Sequence, residues 1–173
     1  VFDGGKHSSS TNFEWYKSPA NPAQGTWQRY EFPRPGRLMG ADAGEFIGAA
    51  LFADMDNDGD QDAVVIVDNH SGGSRNASVY LLENPRPAQP ATATWNLVTL
   101  RDGIPFHHIN DMALVDMDQD GKRDIVARSL DPNHILIWFQ NSQTDWTQKN
   151  LDTPYSQGEG MAVGDLDKTH GPD

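Results

Sequence analysis

Asp54-Met-Asp-Asn-Asp-Gly-Asp-Gln-Asp62 recurs with three substitutions at residues 116–124 and, less closely, at residues 165–173. A short apolar run precedes each copy, and a second apolar run directly follows each of the first two copies. Two apolar runs joined by a short polar segment are typical of a β-hairpin. We therefore predict hairpins whose connecting loops are rich in aspartate, and the beginning of a third hairpin near the end of the sequence.

The segments between the acidic loops repeat as well. Apolar runs at residues 13–19, 79–85 and 135–141 each lead through a polar connector to a tryptophan and a more polar strand. One unit is therefore four short strands, with the acidic loop between the first and the second. Such units, which need a neighbour on both faces, are typical of β-propeller blades. We predict an all-β fold built of these blades, in which three recurring tryptophans pack between blades: Trp27, Trp95 and Trp146.

The phase of the repeat divides the chain into parts of blades. Residues 1–173 are predicted to form part of one propeller: a partial blade (1–32), two whole blades (33–100 and 101–151) and the start of the next blade (152–173). Propellers close with about four to eight blades. We therefore expect the remaining blades to come from the same, longer chain or from self-association of copies.

The acidic loops have the spacing of a calcium site. Written Asp-x-Asp-x-Asp-Gly-x-x-Asp, each loop offers side-chain oxygens at positions 1, 3, 5 and 9 and a backbone carbonyl at position 7. Such oxygen ligands suit Ca²⁺, whereas Mg²⁺ tends to retain its waters. An EF-hand is excluded, because Val65 and Ala127 stand where its glutamate would be. The predicted ligands are Asp54, Asp56, Asp58, Asp60 and Asp62 in the first loop, and Asp116, Asp118, Asp120, Lys122 and Asp124 in the second.

The third loop departs from this pattern. Thr169 replaces the third aspartate, and the glycine arrives at position 7. A solvated acidic turn is the alternative for every loop, but clustered carboxylates repel one another unless a cation lies among them. We predict at least two calcium ions and leave a third open, with the ligand positions Asp165, Asp167, Thr169, Gly171 and Asp173.

These motifs resemble the FG-GAP/VCBS repeat family of β-propellers. The resemblance rests on residues 53–62, 115–124 and 163–167 and on the turns Leu-Glu-Asn-Pro (82–85) and Trp-Phe-Gln-Asn (138–141). It implies a seven-bladed propeller when complete, calcium in the first two loops, and a secreted or extracellular protein. The family includes integrin α-subunit heads, fungal lectins, polysaccharide lyases and a sugar dehydratase, so the resemblance implies a carbohydrate ligand or substrate.

A histidine pair lies in a predicted link between two blades. His107 and His108 precede a first strand, as Tyr155 does one blade later, so blade symmetry places all three at one end of the propeller. Histidine and tyrosine can serve as base and acid when a proton is removed next to a carboxylate. Two imidazoles could instead hold a second, catalytic metal. We therefore take His107, His108 and Tyr155 as candidate catalytic residues, with solvated loop residues as the alternative.

Composition narrows the function classes. The 173 residues carry 13 Lys+Arg against 25 Asp+Glu, a net charge of −12 that disfavours a nucleic-acid partner. The absence of cysteine excludes thiol chemistry, and no apolar stretch reaches the ~18–20 residues that span a membrane. Two functions stay open. One is an extracellular carbohydrate-active enzyme of the lyase or dehydratase type, and the other is a non-catalytic, lectin-like or adhesive propeller with purely structural calcium.

Overall fold

The protein is built of β-strands. A computed structural model describes residues 2–4, 13–31, 45–69, 76–85, 95–153 and 160–173, and these form eleven strands and no helix. The predicted all-β class is therefore confirmed, and the described residues include no helix of the length and apolarity that crossing a membrane requires. In chain order the strands are β1 (Phe2–Gly4), β2 (Phe13–Lys17), β3 (Gln28–Glu31), β4 (Glu45–Ala53), β5 (Asp62–Asn69), β6 (Asn76–Glu83), β7 (Asn96–Ile104), β8 (His107–Val115), β9 (Asp124–Asp131), β10 (Asn133–Gln140) and β11 (Trp146–Asp152).

The strands form three antiparallel sheets in which sequential strands are neighbours. The first sheet contains β1–β3, the second β4–β7 and the third β8–β11. The last two confirm the predicted four-stranded unit, with the acidic loop between its first and second strands. None of the sheets closes on itself within the described residues, so a complete propeller stays a prediction.

The sheet β4–β7 packs against a hydrophobic core on each of its faces, because β5 has apolar side chains on both sides. Val64 and Ile66 belong to a core shared with β8–β11, whereas Val65 and Val67 belong to a second core on the opposite face. Trp15 of β2 packs against this second core. Since side chains alternate between the faces of a strand, an unbroken apolar run fits a sheet that is covered on both sides. The three sheets are therefore stacked, with β4–β7 in the middle.

The strand β7 extends beyond its predicted end. It continues to Ile104, and Arg101 pairs with Val79 of β6. Residues 101–104 therefore complete the second sheet, although the repeat assigned them to the following blade. Strand pairing uses backbone groups, so the polar sequence at this end does not prevent it.

The two candidate histidines lie in a strand and not in a link. His107 and His108 are the first residues of β8, and His107 pairs with Asp131 of β9. Their assignment to a connection between blades was therefore wrong. A shift of the strand register follows at Ile109, so the pairing resumes beyond a local bulge.

The stacked sheets come very close where β4 passes β8. A Cβ atom on Gly48 would lie 2.1 Å from the carbonyl oxygen of Ile109 and 2.9 Å from Oδ2 of Asp68. A shift of the strand register also occurs at this point of β4. Only glycine fits here, because any side chain would meet the backbone of the neighbouring sheet.

The recurring tryptophans do not all have the same environment. Trp95 lies in the core between the first and second sheets, and Trp146 lies in the core between the second and third. The predicted packing role is confirmed for these two. Trp27 is exposed in the described structure, although its indole N–H donates to the carbonyl oxygen of Pro22 over 3.2 Å.

Candidate metal centre

The first two acidic loops share one hydrogen-bond arrangement. Asp54 accepts a bond from Asp58 N–H at Oδ1 (3.0 Å) and another from Gly59 N–H at Oδ2 (2.8 Å). Asp116 accepts the two equivalent bonds over 3.1 and 2.9 Å. The carboxylate at position 1 therefore closes both loops in the same way.

Two positions of each loop have a left-handed backbone. Position 4 has φ values of 61° at both Asn57 and Gln119, and position 6 has 92° at Gly59 and 88° at Gly121. Glycine adopts such angles without steric cost, and asparagine tolerates them better than most residues. The predicted role of the position-6 glycine in turning the loop is therefore confirmed.

The aspartate at position 9 is buried and ties each loop to its own sheet. Asp62 accepts the N–H of Met55 at one oxygen and that of Asn84 at the other, each over 2.9 Å. Asp124 repeats this arrangement over 2.8 and 2.9 Å, with Gln140 in the place of Asn84. Sequence reasoning missed these two partners: Asn84 directly follows β6, the third strand of its sheet, and Gln140 is the last residue of β10, the third strand of the other sheet. The signal was present, because both belong to turns that recur with the repeat.

Three carboxylate oxygens come together in each loop, within 4.8 Å of one another. Position 9 joins the group in the second and third loops, but Asp62 lies outside the first group. Asp120, at position 5 of the second loop, is not part of the carboxylate group of that loop. Its carboxylate makes an ion pair with Lys122. The three groups are Asp54, Asp56 and Asp58; Asp116, Asp118 and Asp124; and Asp165, Asp167 and Asp173.

The residue at position 7, whose carbonyl is a predicted ligand, donates its backbone N–H to the carboxylate at position 5. Asp60 N–H donates to Asp58 Oδ1 over 3.1 Å, and Lys122 N–H donates to Asp120 Oδ1 over 2.8 Å. The same bond in both loops fixes the peptide at this position relative to position 5. The backbone hydrogen bonds that involve positions 1, 5, 6, 7 and 9 are therefore the same in both loops, although the carboxylates at positions 5 and 9 are grouped differently.

Three carboxyl groups of the first two loops, those of Asp56, Asp62 and Asp124, have pKa values raised above the ordinary value. The pKa of Asp62 is raised to about 6, mainly by burial; the hydrogen bonds from Asn84 and Met55 oppose the rise, and the neighbouring charges of Asp56 and Asp60 add to it. Burial also raises the pKa values of Asp56 and Asp124, with smaller contributions from other aspartates of the same loop. A cation among these oxygens would favour their charged form. A hard divalent ion is therefore a chemically suitable occupant.

The third loop keeps part of this arrangement. Leu166 N–H donates to Asp173 Oδ2 over 2.9 Å, which is the bond from position 2 to position 9. The hydroxyl of Thr169 donates to Asp167 Oδ1 over 2.6 Å and lowers the pKa of that carboxyl. At position 6, His170 takes a left-handed φ of 65° where the other loops have glycine. This loop is more exposed and has three carboxylates, instead of four, at the side-chain ligand positions 1, 3, 5 and 9.

The first loop also contacts the neighbouring sheet. Gln140 Nε2, at the end of β10, donates to the carbonyl oxygen of Met55 over 3.0 Å in a buried contact. Gln143 Nε2, in the turn before β11, reaches Asp56 Oδ2 over 3.3 Å at the surface. The conformation of this loop therefore depends on the packing of β8–β11 against it.

A buried carboxylate, that of Asp68, accepts backbone hydrogen bonds from His108 and the residue that follows it. Oδ2 of Asp68 in β5 accepts the N–H of Ile109 over 2.9 Å, and the carboxylate also accepts the N–H of His108. Burial raises the pKa of Asp68 to about 7, and these two bonds oppose the rise. His108 is exposed, with a left-handed φ of 54°. Strained backbone of this kind is enriched at functional sites.

The structure brings together only part of the candidate catalytic set. His107 and His108 are adjacent in β8, whereas Tyr155 lies outside the described residues. The proximity of Tyr155 to the histidines therefore stays a prediction.

Known proteins provide no match for this chain. No family model, no curated protein and no solved structure matches it. The resemblance to FG-GAP/VCBS repeats therefore rests on the sequence motifs quoted above.

Proposed function

We propose that the chain is part of a calcium-binding β-propeller of the FG-GAP/VCBS type that acts on carbohydrate outside the cell. One observation carries the calcium sites. Two loops with the same hydrogen-bond arrangement each bring three carboxylate oxygens within 4.8 Å of one another. A stack of sheets with sequential strands supports the propeller, because blades in that fold are built and packed in this way.

The ligands of the two ions are the aspartates of the loops. Asp54, Asp56 and Asp58 would hold the first ion, and Asp116, Asp118 and Asp124 the second. The third loop is a weaker site, because Thr169 replaces a carboxylate. Bound calcium supplies positive charge that offsets the repulsion within each loop, and it thereby stabilises the hairpins β4–β5 and β8–β9.

Thermal unfolding in the presence of different cations tests this proposal. Calcium should raise the melting temperature of the chelator-treated protein by several degrees, since a ligand that binds only the folded state stabilises it. Magnesium at the same concentration should have a smaller effect, because its octahedral site retains water. Equal melting temperatures in calcium, magnesium and chelator would contradict the calcium sites.

The carbohydrate-directed activity is proposed to be of the lyase or dehydratase type. The left-handed conformation of the exposed His108 favours a site at this end of β8. His107 or His108 would remove a proton next to a carboxylate, with Tyr155 as the acid. In the alternative form of this mechanism, the two imidazoles bind a second metal instead of removing the proton.

Single substitutions of the histidines test the enzymatic proposal. A polysaccharide that contains uronic acid is the probe, and ultraviolet absorbance of the unsaturated product is the readout. His107→Ala or His108→Ala should lower the rate by about a hundredfold or more while the melting temperature is kept. His134→Ala, a histidine change on β10, is the control. Full activity in both variants would remove the pair from the mechanism.

A non-catalytic, lectin-like or adhesive propeller is the second candidate. It is favoured by the burial of Asp62 and Asp124, which builds the proposed calcium loops into the sheets instead of a cleft. Glycan-array binding without turnover of any bound glycan would support this candidate over the enzyme.

A further inference from the structure

The first two acidic loops belong to different sheets, yet a continuous series of hydrogen bonds joins them. Asp124, at position 9 of the second loop, accepts the N–H of Gln140 at Oδ1 over 2.9 Å. Gln140 Nε2 donates to the carbonyl oxygen of Met55 over 3.0 Å. The N–H of Met55 in turn donates over 2.9 Å to Oδ2 of Asp62, which is position 9 of the first loop. We call these four residues the inter-loop bridge, because their three hydrogen bonds connect the position-9 carboxylates of the two loops.

Every member of the inter-loop bridge is buried. The exposed fractions are 2% for Met55, 1% for Asp62 and for Asp124, and 3% for Gln140. Met55 and Trp138, which stands two residues before Gln140 in β10, belong to the core between the second and third sheets. A buried polar group that loses its partner finds no water to replace it, and this costs free energy. A displacement at one end of the bridge therefore favours movement of the other members over rupture of a bond.

The corresponding residue of the second sheet makes no such connection. Asn84 N–H donates to Asp62 as Gln140 N–H donates to Asp124. The side-chain amide of Asn84, however, donates to the carbonyl oxygen of Gln61 in its own loop over 3.2 Å. A glutamine side chain is longer by one methylene group, and that of Gln140 reaches the neighbouring sheet. The bridge therefore depends on Gln140 and does not follow from the repeat alone.

The orientation of the Gln140 amide is set by its partner. A carbonyl oxygen only accepts hydrogen bonds, so Nε2 has to face Met55. Oε1 of Gln140 is buried and has no hydrogen-bond partner in the described part of the chain. An unpaired buried oxygen costs free energy, so an apolar side chain would fill this position at lower cost. The contribution of the glutamine at this position is therefore its bond to the first loop.

The two loops show two arrangements of the same motif. The carboxylates at positions 1, 3 and 5 come together in the first loop, whereas those at positions 1, 3 and 9 come together in the second. Asp124 is therefore part of its carboxylate group, and Asp62 is outside the first group. Because Ca²⁺ takes about six to eight oxygen ligands, we expect an ion in the first loop to draw Asp62 toward it. Movement of Asp62 displaces the Met55 peptide and, through the carbonyl oxygen, the side chain of Gln140.

We propose that the inter-loop bridge couples the two loops, so that a calcium ion in either loop raises the affinity of the other. An ion in the second loop fixes Asp124, which holds Gln140 and thereby the carbonyl oxygen of Met55. The first loop then loses less conformational freedom when its own ion binds. Since a coupling free energy is reciprocal, an ion in the first loop raises the affinity of the second by the same factor. The coupling rests on the calcium sites proposed above and adds the dependence of each site on the other.

Calcium titration of variants with one intact loop tests the coupling. Asp118→Asn leaves the first loop to bind alone, and Asp56→Asn leaves the second. Each isolated loop should bind calcium about fivefold or more weakly than the same loop does in the unmodified protein when the other loop is occupied. The two factors should be equal, because the coupling is reciprocal.

Substitution of Gln140 tests the route of the coupling. Gln140→Met has a side chain of similar length without the amide, and it keeps the backbone N–H that Asp124 accepts. Both loops should still bind calcium in this variant, but each with the affinity of an isolated loop. Gln140→Asn, whose amide is too short to reach Met55, should give the same result. Gln148→Met makes the matched change on β11, outside the bridge, and should keep the coupling of the unmodified protein.

Hydrogen exchange at the Met55 amide gives a local measurement that does not require a Gln140 variant. In Asp56→Asn, calcium that binds the second loop should slow this exchange by about fivefold or more, although the first loop holds no ion. Two ions bound with the affinities of the isolated loops, or exchange at Met55 that does not respond to calcium, would overturn the coupling and leave the calcium sites intact. Absence of calcium binding in every protein would contradict the sites and the coupling together.

Discussion

Met55 and Asp62 are joined by a hydrogen bond from the Met55 N–H to Asp62 Oδ2 over 2.9 Å, which closes the first acidic loop from inside. The other oxygen of Asp62 accepts the N–H of Asn84, and the Asp62 side chain is buried. The residue is therefore a structural part of the sheet, whatever its role toward a metal.

Replacement of Asp62 should consequently destabilise the protein even in chelator. Asp62→Ala leaves two backbone N–H groups without their acceptor, and we expect a loss of roughly 2–5 kcal/mol in the free energy of unfolding. Asp58→Ala in the same loop is the control, since Asp58 is exposed, and should cost less than about 1 kcal/mol in chelator. Urea unfolding measures both values. A similar cost for the two variants would contradict the structural role.

Two hydrogen bonds join the first loop to the third sheet, and we expect them to contribute unequally to the free energy of unfolding. Gln140→Ala removes a buried donor from the Met55 carbonyl oxygen and should cost about 1–3 kcal/mol. Gln143→Ala removes only the exposed contact with Asp56 and should cost less than about 0.5 kcal/mol. Chemical denaturation of the two variants gives the comparison, and an equal or reversed order would argue against the loop geometry.

The close approach of β4 and β8 predicts a severe effect of a single methyl group. Gly48→Ala would place Cβ 2.1 Å from the carbonyl oxygen of Ile109, so the sheets must separate or the chain must unfold. We expect a loss of more than about 3 kcal/mol or a failure to fold. Gly164→Ala, where no atom lies within 4 Å of the added carbon, should be nearly neutral. A fully stable Gly48→Ala protein would show that the sheets are packed differently.

Asp68 predicts a pH dependence of stability. Its pKa is about 7 in the folded protein against an ordinary value of 3.8, so the folded state binds more protons between these values. Its contribution to stability is therefore fully present below pH ~4 and falls as the pH rises through about 7. Asp68→Asn keeps an acceptor without the charge and should be more stable than the unmodified protein at pH ~8, by about 1–3 kcal/mol.

Melting temperatures between pH ~5 and ~8 test this difference. The profile of Asp68→Asn should be flatter than that of the unmodified protein. Asp145→Asn, in the exposed turn between β10 and β11, is the control and should follow the unmodified protein. Parallel profiles for all three proteins would show that the carboxyl of Asp68 does not titrate in this range.

The strand repeat was predictable from the sequence because it depends on local patterns. Unbroken apolar runs such as Ala63–Val67 indicate strands that are covered on both faces, and Gly59 and Gly121 indicate the turn within each acidic loop. The limits of the strands were less predictable. The polar residues His107 and His108 pair through their backbone, and nothing in their side chains indicates that pairing.

The candidate site was predictable only in part, for a similar reason. The spacing of the aspartates identified the loops, but the partners of Asp62 and Asp124 come from the end of the third strand of the sheet. Asp68 was missed because a single acidic residue at the end of an apolar strand has no distinctive spacing. Its role depends on a contact with the neighbouring sheet, which sequence alone does not reveal.

Calcium titration calorimetry tests the central claim most directly. The chelator-treated protein should bind at least two calcium ions, and Asp56→Asn and Asp118→Asn should each lose one, because each removes a charge from a different carboxylate group. Asp145→Asn, which lies outside the acidic loops, should bind calcium as the unmodified protein does. The double variant Asp56→Asn/Asp118→Asn should lose both. No heat of calcium binding in the unmodified protein, or the same number of bound ions in every variant, would contradict the account.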